Sequence, residues 1–416
     1  MAAQSKTFCP LPFIHSFASV SGKFKPCCNT PTGSWDKTTR NMSYQEWFYS
    51  EEMTQLRHDL LNNVENKMCS VCWNDEKISG SSIRQRYIEK FDRFVDTSKP
   101  KIRYLDLKLS NECNLKCRMC SYVSSHLIGA DMKTIEKNNW YMPNHWERSP
   151  NAEKQMDSLS IQQVTENEFH EILSLLSQIK VLKITGGEPT ISKKFLDIVD
   201  VCNNNDYAKN IQLSLTTNAT KFTKTFLDKL KGFKSVSLNI SCDGYGSTYD
   251  YVRYPFNWNK FKERIQNLKD YRSSVKLSGD RRKFAFGLAV VPLSINVENL
   301  PALQKWSKKS IERGSYTWPP FMNTEVRPEE SHLNIKNVPT HILQYTYDNL
   351  EEREENKILM QRLKKLINNP ITVSEETEID IMKSIESVDR VRSQNYKKLL
   401  EPMTAEWIEG LFKKYA

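Results

Sequence analysis

The stretch that decides the fold runs from residue 102 to residue 120 and reads IRYLDLKLSNECNLKCRMC. Residues 102–109 form a short apolar run, which predicts a β-strand. Cys113, Cys117 and Cys120 follow it in a predicted loop. Cubane iron–sulfur clusters normally take four cysteines, so three thiolates would leave one iron of a 4Fe–4S cluster open. The alternative is a zinc site whose fourth ligand lies elsewhere in the chain.

The chain beyond residue 100 alternates predicted strands with predicted helices. The strands are expected at residues 102–109, 181–185, 211–217, 235–241 and 283–291, with a sixth at 315–321. The helices are expected at residues 165–178, 193–203, 223–231, 257–271 and 297–313, the first of them opened by a capping box of Thr165 and Glu168. This alternation predicts an α/β fold with a parallel sheet, here a partial (β/α)6 TIM-like barrel.

Composition divides the chain into three expected domains. Residues 1–99 are rich in cysteine and turn residues, with one helical stretch near residues 44–62, and predict a small N-terminal module. Residues 100–320 carry the barrel pattern. Residues 321–416 combine charged and apolar residues at helical spacing, which predicts a helical C-terminal tail that packs on the rest of the chain.

Several predicted strands end in a motif that suits ligand binding. Gly186-Gly187-Glu188 ends the second strand, and Thr217-Asn218 ends the third. Ser241 ends the fourth, with Arg253 downstream. Glycines allow close backbone approach and a carboxylate pairs with an ammonium group, although a plain turn with a solvated glutamate is the alternative. Because chemistry in such barrels gathers at the C-terminal ends of strands, these motifs are expected to share one site.

The bulk composition restricts the class of protein. The 416 residues include 38% hydrophobic and 26% charged residues and carry a formal charge of +10. No run of 18 apolar residues occurs, so we expect no membrane span and no membrane partner. The N-terminus lacks a basic segment followed by an apolar one, which predicts a cytoplasmic location. The charge fits either a nucleic-acid or other anionic partner or a solvated basic surface, and it does not favour nucleic acid.

A second group of cysteines precedes the barrel. It consists of Cys9, Cys27, Cys28, Cys69 and Cys72. Thiols stay reduced in the expected compartment, so clustered cysteines predict metal or cluster ligation rather than disulfides. The two remaining cysteines, Cys202 and Cys242, are predicted to be small buried residues.

The Cys-x3-Cys-x2-Cys loop after the first strand resembles the signature of the radical SAM superfamily. The resemblance implies that Cys113, Cys117 and Cys120 hold a 4Fe–4S cluster whose open iron binds S-adenosylmethionine (SAM). One electron from the cluster, supplied by a donor such as flavodoxin or ferredoxin, would split SAM. The resulting 5′-deoxyadenosyl radical would take a hydrogen atom from a substrate. The cofactors carry this chemistry, while the protein orients the reacting atoms and excludes water.

The motifs at the other strand ends are similar to SAM-binding elements of the superfamily. Gly186, Gly187 and Glu188 resemble its Gly-Gly-Glu motif, which binds the SAM amino group. Ser241 and Arg253 resemble the serine and arginine that meet the ribose and the carboxylate of SAM. A hydroxyl suits a ribose oxygen, and a guanidinium suits a carboxylate. The resemblance therefore assigns these five residues to SAM.

Further positions resemble the superfamily less closely. Val291 and Asn296 look like the element beside the SAM adenine. Met119 stands where an aromatic residue often stacks by the adenine, and its polarizable thioether can fill that place. Ala219 replaces the glycine of a Thr-Asn-Gly element. Val291, Asn296 and Met119 are predicted to contact SAM.

The N-terminal cysteine group is similar to the twitch and SPASM modules that hold an auxiliary cluster in many radical SAM enzymes. Those modules usually follow the barrel, whereas this group precedes it. The resemblance implies an auxiliary 4Fe–4S cluster on Cys9, Cys27, Cys69 and Cys72, with Cys27 preferred to Cys28 because it follows a proline as in those modules. Four thiolates would close the cluster to substrate and give it an electron-transfer or structural role. A four-cysteine zinc site is the alternative.

The resemblance leaves the substrate open, because fold and cofactor do not determine it. Auxiliary modules are frequent in enzymes that modify ribosomally made peptides, so the first hypothesis is hydrogen abstraction from a peptide or protein side chain. The second is radical modification of a nucleotide, sugar or RNA, and the third is an iron–sulfur binding protein without catalysis. Two aromatic segments are candidates for substrate contact, and packing within the protein is the alternative for both. They are residues 316–319 and the insert 121–165, with His126, Trp140, Tyr141, His145 and Trp146.

Overall fold

The computed structural model describes residues 5–20, 24–31, 42–146, 161–274, 284–311, 332–353 and 356–415. The strands of this described part are β1 (His15–Ala18), β2 (Phe24–Lys25), β3 (Tyr104–Lys108), β4 (Val181–Thr185), β5 (Gln212–Thr217), β6 (Ser235–Ser241) and β7 (Phe284–Ala289). They form one sheet in the order β2-β1-β3-β4-β5-β6-β7. Strands β1, β3, β4 and β5 run parallel, and β2 is antiparallel to β1. The predicted α/β fold with a parallel sheet is confirmed, and it is consistent with a partial TIM-like barrel.

Helices follow most of the strands and make up the C-terminal region. They are α1 (Leu11–Ile14), α2 (Tyr44–Phe48), α3 (Glu51–Leu61), α4 (Ser70–Ser79), α5 (Ile83–Phe91), α6 (Ile128–Lys137), α7 (Glu166–Leu175), α8 (Lys193–Asn204), α9 (Lys224–Lys229), α10 (Ser247–Val252), α11 (Trp258–Ser274), α12 (Leu300–Ser310), α13 (Thr340–Asn349), α14 (Lys357–Asn368), α15 (Glu375–Arg392), α16 (Tyr396–Leu399) and α17 (Pro402–Tyr415). Among the helices of the described residues, none has both the length and the apolar character that crossing a bilayer requires.

The strand register explains why one face of the sheet is apolar. Leu105 pairs with Leu182, and Leu182 pairs with Leu213, so three buried leucines stand in one row across β3, β4 and β5. The next row, on the opposite face, pairs Asp106 with Lys183. Because successive side chains of a strand point to opposite faces, the leucine row lies on the apolar face and the Asp106–Lys183 row on a polar one.

The chain divides into two compact units. The first comprises Met1–Ser110, Gln162–Thr216 and Thr225–Ser237. The second comprises Asn111–Ile161, Thr217–Lys224 and Leu238–Ala416. Within the second unit, the C-terminal helices share a core with the segments that follow β6 and β7. That core includes Tyr251, Leu293, Ile381, Ile385 and Ile408, which are all buried.

Two features of the N-terminal region differ from the sequence expectation. Strands β1 and β2 were not anticipated, and β1 pairs in parallel with β3 and so adds N-terminal residues to the sheet. The single helical stretch expected near residues 44–62 is two helices, because Ser50 interrupts it with an extended backbone and caps α3 by accepting a hydrogen bond from the Met53 N–H. The sixth strand expected at residues 315–321 lies outside the described residues.

Candidate active site

The three cysteines that follow β3 lie in one turn-rich loop of the second unit. Cys113 and Cys117 are buried, Cys120 is half-buried, and Leu115 and Phe256 pack against them. The Cys120 N–H donates to the Cys117 carbonyl at 3.0 Å, which closes a turn between two of the thiols. The Leu115 N–H lies 3.5 Å from the Cys113 sulfur. The loop therefore presents its sulfur atoms in a largely apolar setting that limits access of water.

Backbone hydrogen bonds hold this loop in place. The Lys116 N–H donates to the Tyr254 carbonyl at 2.7 Å, and the Arg118 N–H donates to the Val252 carbonyl at 2.9 Å. From the insert, the Trp146 indole donates to the Cys120 carbonyl at 2.8 Å. Trp146 is only 1% exposed and packs with α6, which supports the packing interpretation for this ring. Residues 316–319, the other aromatic segment, lie outside the described residues.

Two side chains donate hydrogen bonds toward the sulfur atoms. Arg253 Nη1 lies 3.4 Å from the Cys117 sulfur, and Asn218 Nδ2 lies 3.9 Å from the Cys113 sulfur. The hydrogen bond with Cys120 and the nearby Arg253 guanidinium lower the pKa of Cys117 to about 7, while the hydrogen bond with Cys117 and burial raise the pKa of Cys120. Since metals bind the thiolate form, a loop that stabilises a thiolate fits cluster ligation.

Arg253 is buried and forms an ion pair with Asp243, which is completely buried. Asp243 also accepts a hydrogen bond from the Val291 N–H at 2.7 Å. The Asn296 amide donates to the carbonyls of Asp243 and Val291 at 3.0 and 2.9 Å. Asn296 and Asp243 thus join the segments after β6 and β7. The Ser241-Cys242-Asp243-Gly244 sequence that ends the predicted fourth strand includes Asp243, but sequence reasoning assigned it no ligand or partner.

The second unit also contains Met119, Ser241 and Ala219, which the sequence analysis compared with SAM-binding elements. Met119 and Val291 are half-buried, and both pack against the core that contains Tyr251. Ser241, the last residue of β6, is also half-buried. Ala219 adopts a left-handed backbone with φ of 62°, a conformation that glycine adopts at lower cost. That backbone explains why a glycine is expected at this position.

The Gly186-Gly187-Glu188 turn belongs to the first unit. Gly186 has φ of 128°, and a Cβ atom there would lie 2.7 Å from the Ser110 carbonyl oxygen. The Gly187 N–H donates to that same oxygen at 2.9 Å. Glu188 is 1% exposed, and its Oε1 accepts hydrogen bonds from the N–H and hydroxyl of Thr190 at 3.0 and 2.7 Å. The glutamate is therefore held in place, and the alternative of a solvated side chain is wrong.

The N-terminal cysteines also belong to the first unit, and they separate into two environments. Burial raises the pKa of Cys9, Cys27 and Cys69, and the charge of Cys72 raises it further for all three. Burial raises the pKa of Cys28 to about 12, but its strongest charge interactions are with Lys183 and Asp106. Cys72 thus acts electrostatically on Cys9, Cys27 and Cys69, whereas the strongest charge interactions of Cys28 are with two residues of the sheet. In the ranges that the structure describes, no three His, Cys, Asp or Glu side chains converge closely enough for a single metal ion.

Comparison with known proteins shows what this region is similar to. Residues 107–279 match the family model of the Radical SAM superfamily. An uncharacterized protein of Methanocaldococcus jannaschii is 32% identical over 144 residues, which cover 34% of this chain and 39% of that protein. The GTP 3′,8-cyclase of Pasteurella multocida is 27% identical over 154 residues, which cover 36% of each chain. The match thus spans less than two fifths of the length of either curated relative.

The solved structures that match this chain include SuiB of Streptococcus suis bound to S-adenosylmethionine. That match has a TM-score of 0.30 and 16% identity, and it covers 64% of this chain and 50% of that chain. Another is anSMEcpe with bound AdoMet, with a TM-score of 0.34, 17% identity and coverage of 58% and 57%. The family match includes the whole loop from Cys113 to Cys120. Residues 107–279 of this chain are thus similar to the Radical SAM superfamily.

Proposed function

We propose that the chain is a radical SAM enzyme that reductively cleaves SAM and abstracts a hydrogen atom from a peptide or protein side chain. The observation that carries the proposal is the loop of Cys113, Cys117 and Cys120, in which Arg253 Nη1 lies 3.4 Å from the Cys117 sulfur. This loop lies within the segment that matches the superfamily. Three thiols with cationic and amide donors nearby fit a cluster with one open iron.

The residues of the loop and its surroundings would bind the cofactors. Bound there, a 4Fe–4S cluster and SAM would supply one electron and a 5′-deoxyadenosyl radical. Arg253 and Asn218 donate toward the sulfur atoms and so stabilise their negative charge. The buried setting of Cys113 and Cys117 keeps water away from reactive species.

Residues at the other strand ends would orient SAM. We assign Glu188, with the close backbone of Gly186 and Gly187, to the SAM amino group, since a buried carboxylate pairs well with an ammonium. Ser241 and Arg253 are assigned to the ribose and the carboxylate. The adenine side is assigned to three further residues: Met119, Val291 and Asn296. Asn296 would act there by holding the Val291 backbone, to which its amide is bonded.

An auxiliary 4Fe–4S cluster on Cys9, Cys27, Cys69 and Cys72 is part of the proposal. The charge interactions among these four cysteines support it. Residues 1–99 would then be a twitch-like module of the SPASM type, residues 100–320 the barrel and residues 321–416 a helical extension. We further propose a cytoplasmic location, with reduced flavodoxin or ferredoxin as the electron donor.

A nucleotide is the second candidate substrate. The partial similarity to the GTP 3′,8-cyclase of Pasteurella multocida favours it, because that relative bears the name of an enzyme that acts on GTP. The auxiliary cysteine module favours a peptide. Anaerobic assays with peptide encoded beside the gene, and separately with GTP, distinguish the two candidates. The true substrate is expected to accelerate formation of 5′-deoxyadenosine above the background without substrate.

Cleavage of SAM tests the chemistry independently of the substrate. The reconstituted chain with a strong reductant should release 5′-deoxyadenosine and methionine. Cys117→Ala should abolish release, whereas Cys202→Ala should retain it, because Cys202 is a buried thiol within α8 of the first unit. If the wild-type chain carries an intact cluster and yet cleaves no SAM, the iron–sulfur binding protein without catalysis becomes the better description.

A further inference from the structure

The two cations inside the cysteine loop are held by carboxylates on helices of the same unit. Lys116 Nζ lies 2.6 Å from Asp131 Oδ1 on α6. Arg118 forms an ion pair with Asp389 on α15, and its Nε donates to the Tyr251 carbonyl at 3.2 Å. The C-terminal helix α15 therefore contacts the loop through buried charge, and it does more than cover the apolar core.

Helix α15 contributes a further cation to this cluster of charges. Arg392 Nε lies 2.8 Å from Asp131 Oδ2, and the arginine side chain is 0% exposed. Its guanidinium lies over the rings of Trp146 and Tyr254, 5.5 and 5.6 Å from their centroids. Within the described part of the chain, Nη1 and Nη2 of Arg392 have no hydrogen-bond partner. Buried donors without acceptors are costly, so this arrangement requires an explanation.

The charges around the loop do not cancel. Asp389 balances Arg118, and Asp243 balances Arg253. In contrast, Asp131 is shared by Lys116 and Arg392, so two cations face one carboxylate. In these ion pairs, four cations therefore face three carboxylates. The Trp146 ring under the Arg392 guanidinium belongs to the indole that donates to the Cys120 carbonyl, so Arg392 lies next to the cysteine loop.

We propose that Arg392 compensates the negative charge of a cluster held by the Cys113–Cys120 loop and thereby raises the reduction potential of that cluster. The inference rests on the proposed function. Reduction adds an electron to an already anionic thiolate-ligated cluster, and a nearby cation in a low-dielectric setting stabilises the added charge. Net charge and hydrogen bonds to sulfur are among the factors that set cluster potentials. The unpartnered nitrogens of Arg392 are donors available for that purpose.

The test compares Arg392→Gln with Arg390→Gln in the full-length reconstituted chain. Arg390 is the matched control, because it lies on the same helix but is exposed and pairs with Glu386 at 2.5 Å. The readout is a potentiometric titration followed by EPR. The EPR signal that changes on addition of SAM is the one titrated, because it belongs to the cluster with the open iron. We expect Arg392→Gln to load iron like the wild type and to titrate at a more negative potential. Arg390→Gln, and Arg392→Lys, which keeps the charge, should both titrate like the wild type.

Several outcomes would overturn the inference. A wild-type potential in Arg392→Gln with a loaded cluster would do so directly. Folding is expected to survive, because Lys116 remains as a partner for Asp131; if neither Arg392→Gln nor Arg392→Met folds, the role of Arg392 is structural and the inference fails. A wild-type chain with no SAM-sensitive signal would instead defeat the proposed function, and the inference with it.

Discussion

Individual residues in the first unit show where side-chain identity is constrained by backbone or by charge. Gly186 occupies a backbone conformation and a contact with Ser110 that leave no room for a Cβ atom. Asp106 is 1% exposed and bonded to Lys183 Nζ at 2.8 Å, with His15 close by on β1. Each of these two positions therefore leads to a prediction about the effect of a single substitution on stability.

Gly186→Ala is expected to lower the free energy of unfolding by about 1–3 kcal/mol, because the new methyl group would meet the Ser110 oxygen at a φ that side chains rarely adopt. Urea denaturation at neutral pH measures this. Gly410→Ala is the control: it lies in α17, where a Cβ meets nothing within 4 Å, and it should be neutral or stabilise by up to about 1 kcal/mol. Equal effects of both substitutions would contradict the steric explanation.

Asp106 is expected to contribute to acid sensitivity. Burial alone would raise the pKa of Asp106, but Lys183 and His15 outweigh it and lower the pKa to about 2. A carboxyl whose folded pKa is depressed stabilises the fold above its unfolded pKa and loses that contribution as the pH falls through the folded pKa. The contribution, roughly 2 kcal/mol, should therefore disappear between about pH 4 and pH 2.

Urea denaturation of the wild type and Asp106→Asn at a series of pH values checks this. At pH 7 the variant should be less stable by roughly 3–5 kcal/mol, because Lys183 loses its buried partner. The difference should shrink on acidification. Glu406→Gln, at an exposed position on α17, should show no such convergence. A constant difference from pH 7 to pH 2 would contradict the assignment.

At the scale of elements, capping residues set the helix boundaries that the sequence predicts. Helix α7 begins after Thr165, whose hydroxyl accepts from the Glu168 N–H at 3.2 Å while the Glu168 carboxylate accepts from the Thr165 N–H at 2.7 Å. A capping box of the same kind, formed by Ser43 and Glu46, caps the N-terminus of α2. Reciprocal capping satisfies two N–H groups that the helix leaves unpaired.

Thr165→Ala is expected to lower the free energy of unfolding by about 1 kcal/mol, since it removes the oxygen that caps α7. Thermal and urea denaturation measure the change. Thr165→Ser keeps the hydroxyl and should retain nearly the whole stability. Were Thr165→Ser as destabilised as Thr165→Ala, the lost contact would be the methyl group rather than the cap.

At the scale of the whole molecule, the proposed cofactors imply two sets of cysteines, one in each unit. Anaerobic reconstitution of the wild type should give about eight irons per chain, the number for two cubanes. Cys27→Ala should reduce the count to about four, whereas Cys28→Ala should keep about eight, because Cys28 interacts with Lys183 and Asp106 instead. Iron and zinc analysis of the three proteins measures this. Four irons with one zinc in the wild type would contradict the auxiliary cluster.

The sequence by itself determined the local features of the chain. Strands β4 and β6 match their predicted bounds, and α7 begins at the predicted capping box. The cysteine loop follows β3 as expected. These features depend on periodicity and on residues a few positions apart, so they can be read without knowledge of the rest of the chain.

Only the tertiary structure decided the partners that lie far apart in sequence. It pairs Arg118 with Asp389 across 271 positions and Arg392 with Asp131 across 261. It also joins β1 to β3. No local pattern distinguishes one buried acid from another. Their environments follow from the packing of segments distant in sequence, whose free energy depends on all the side chains that meet there.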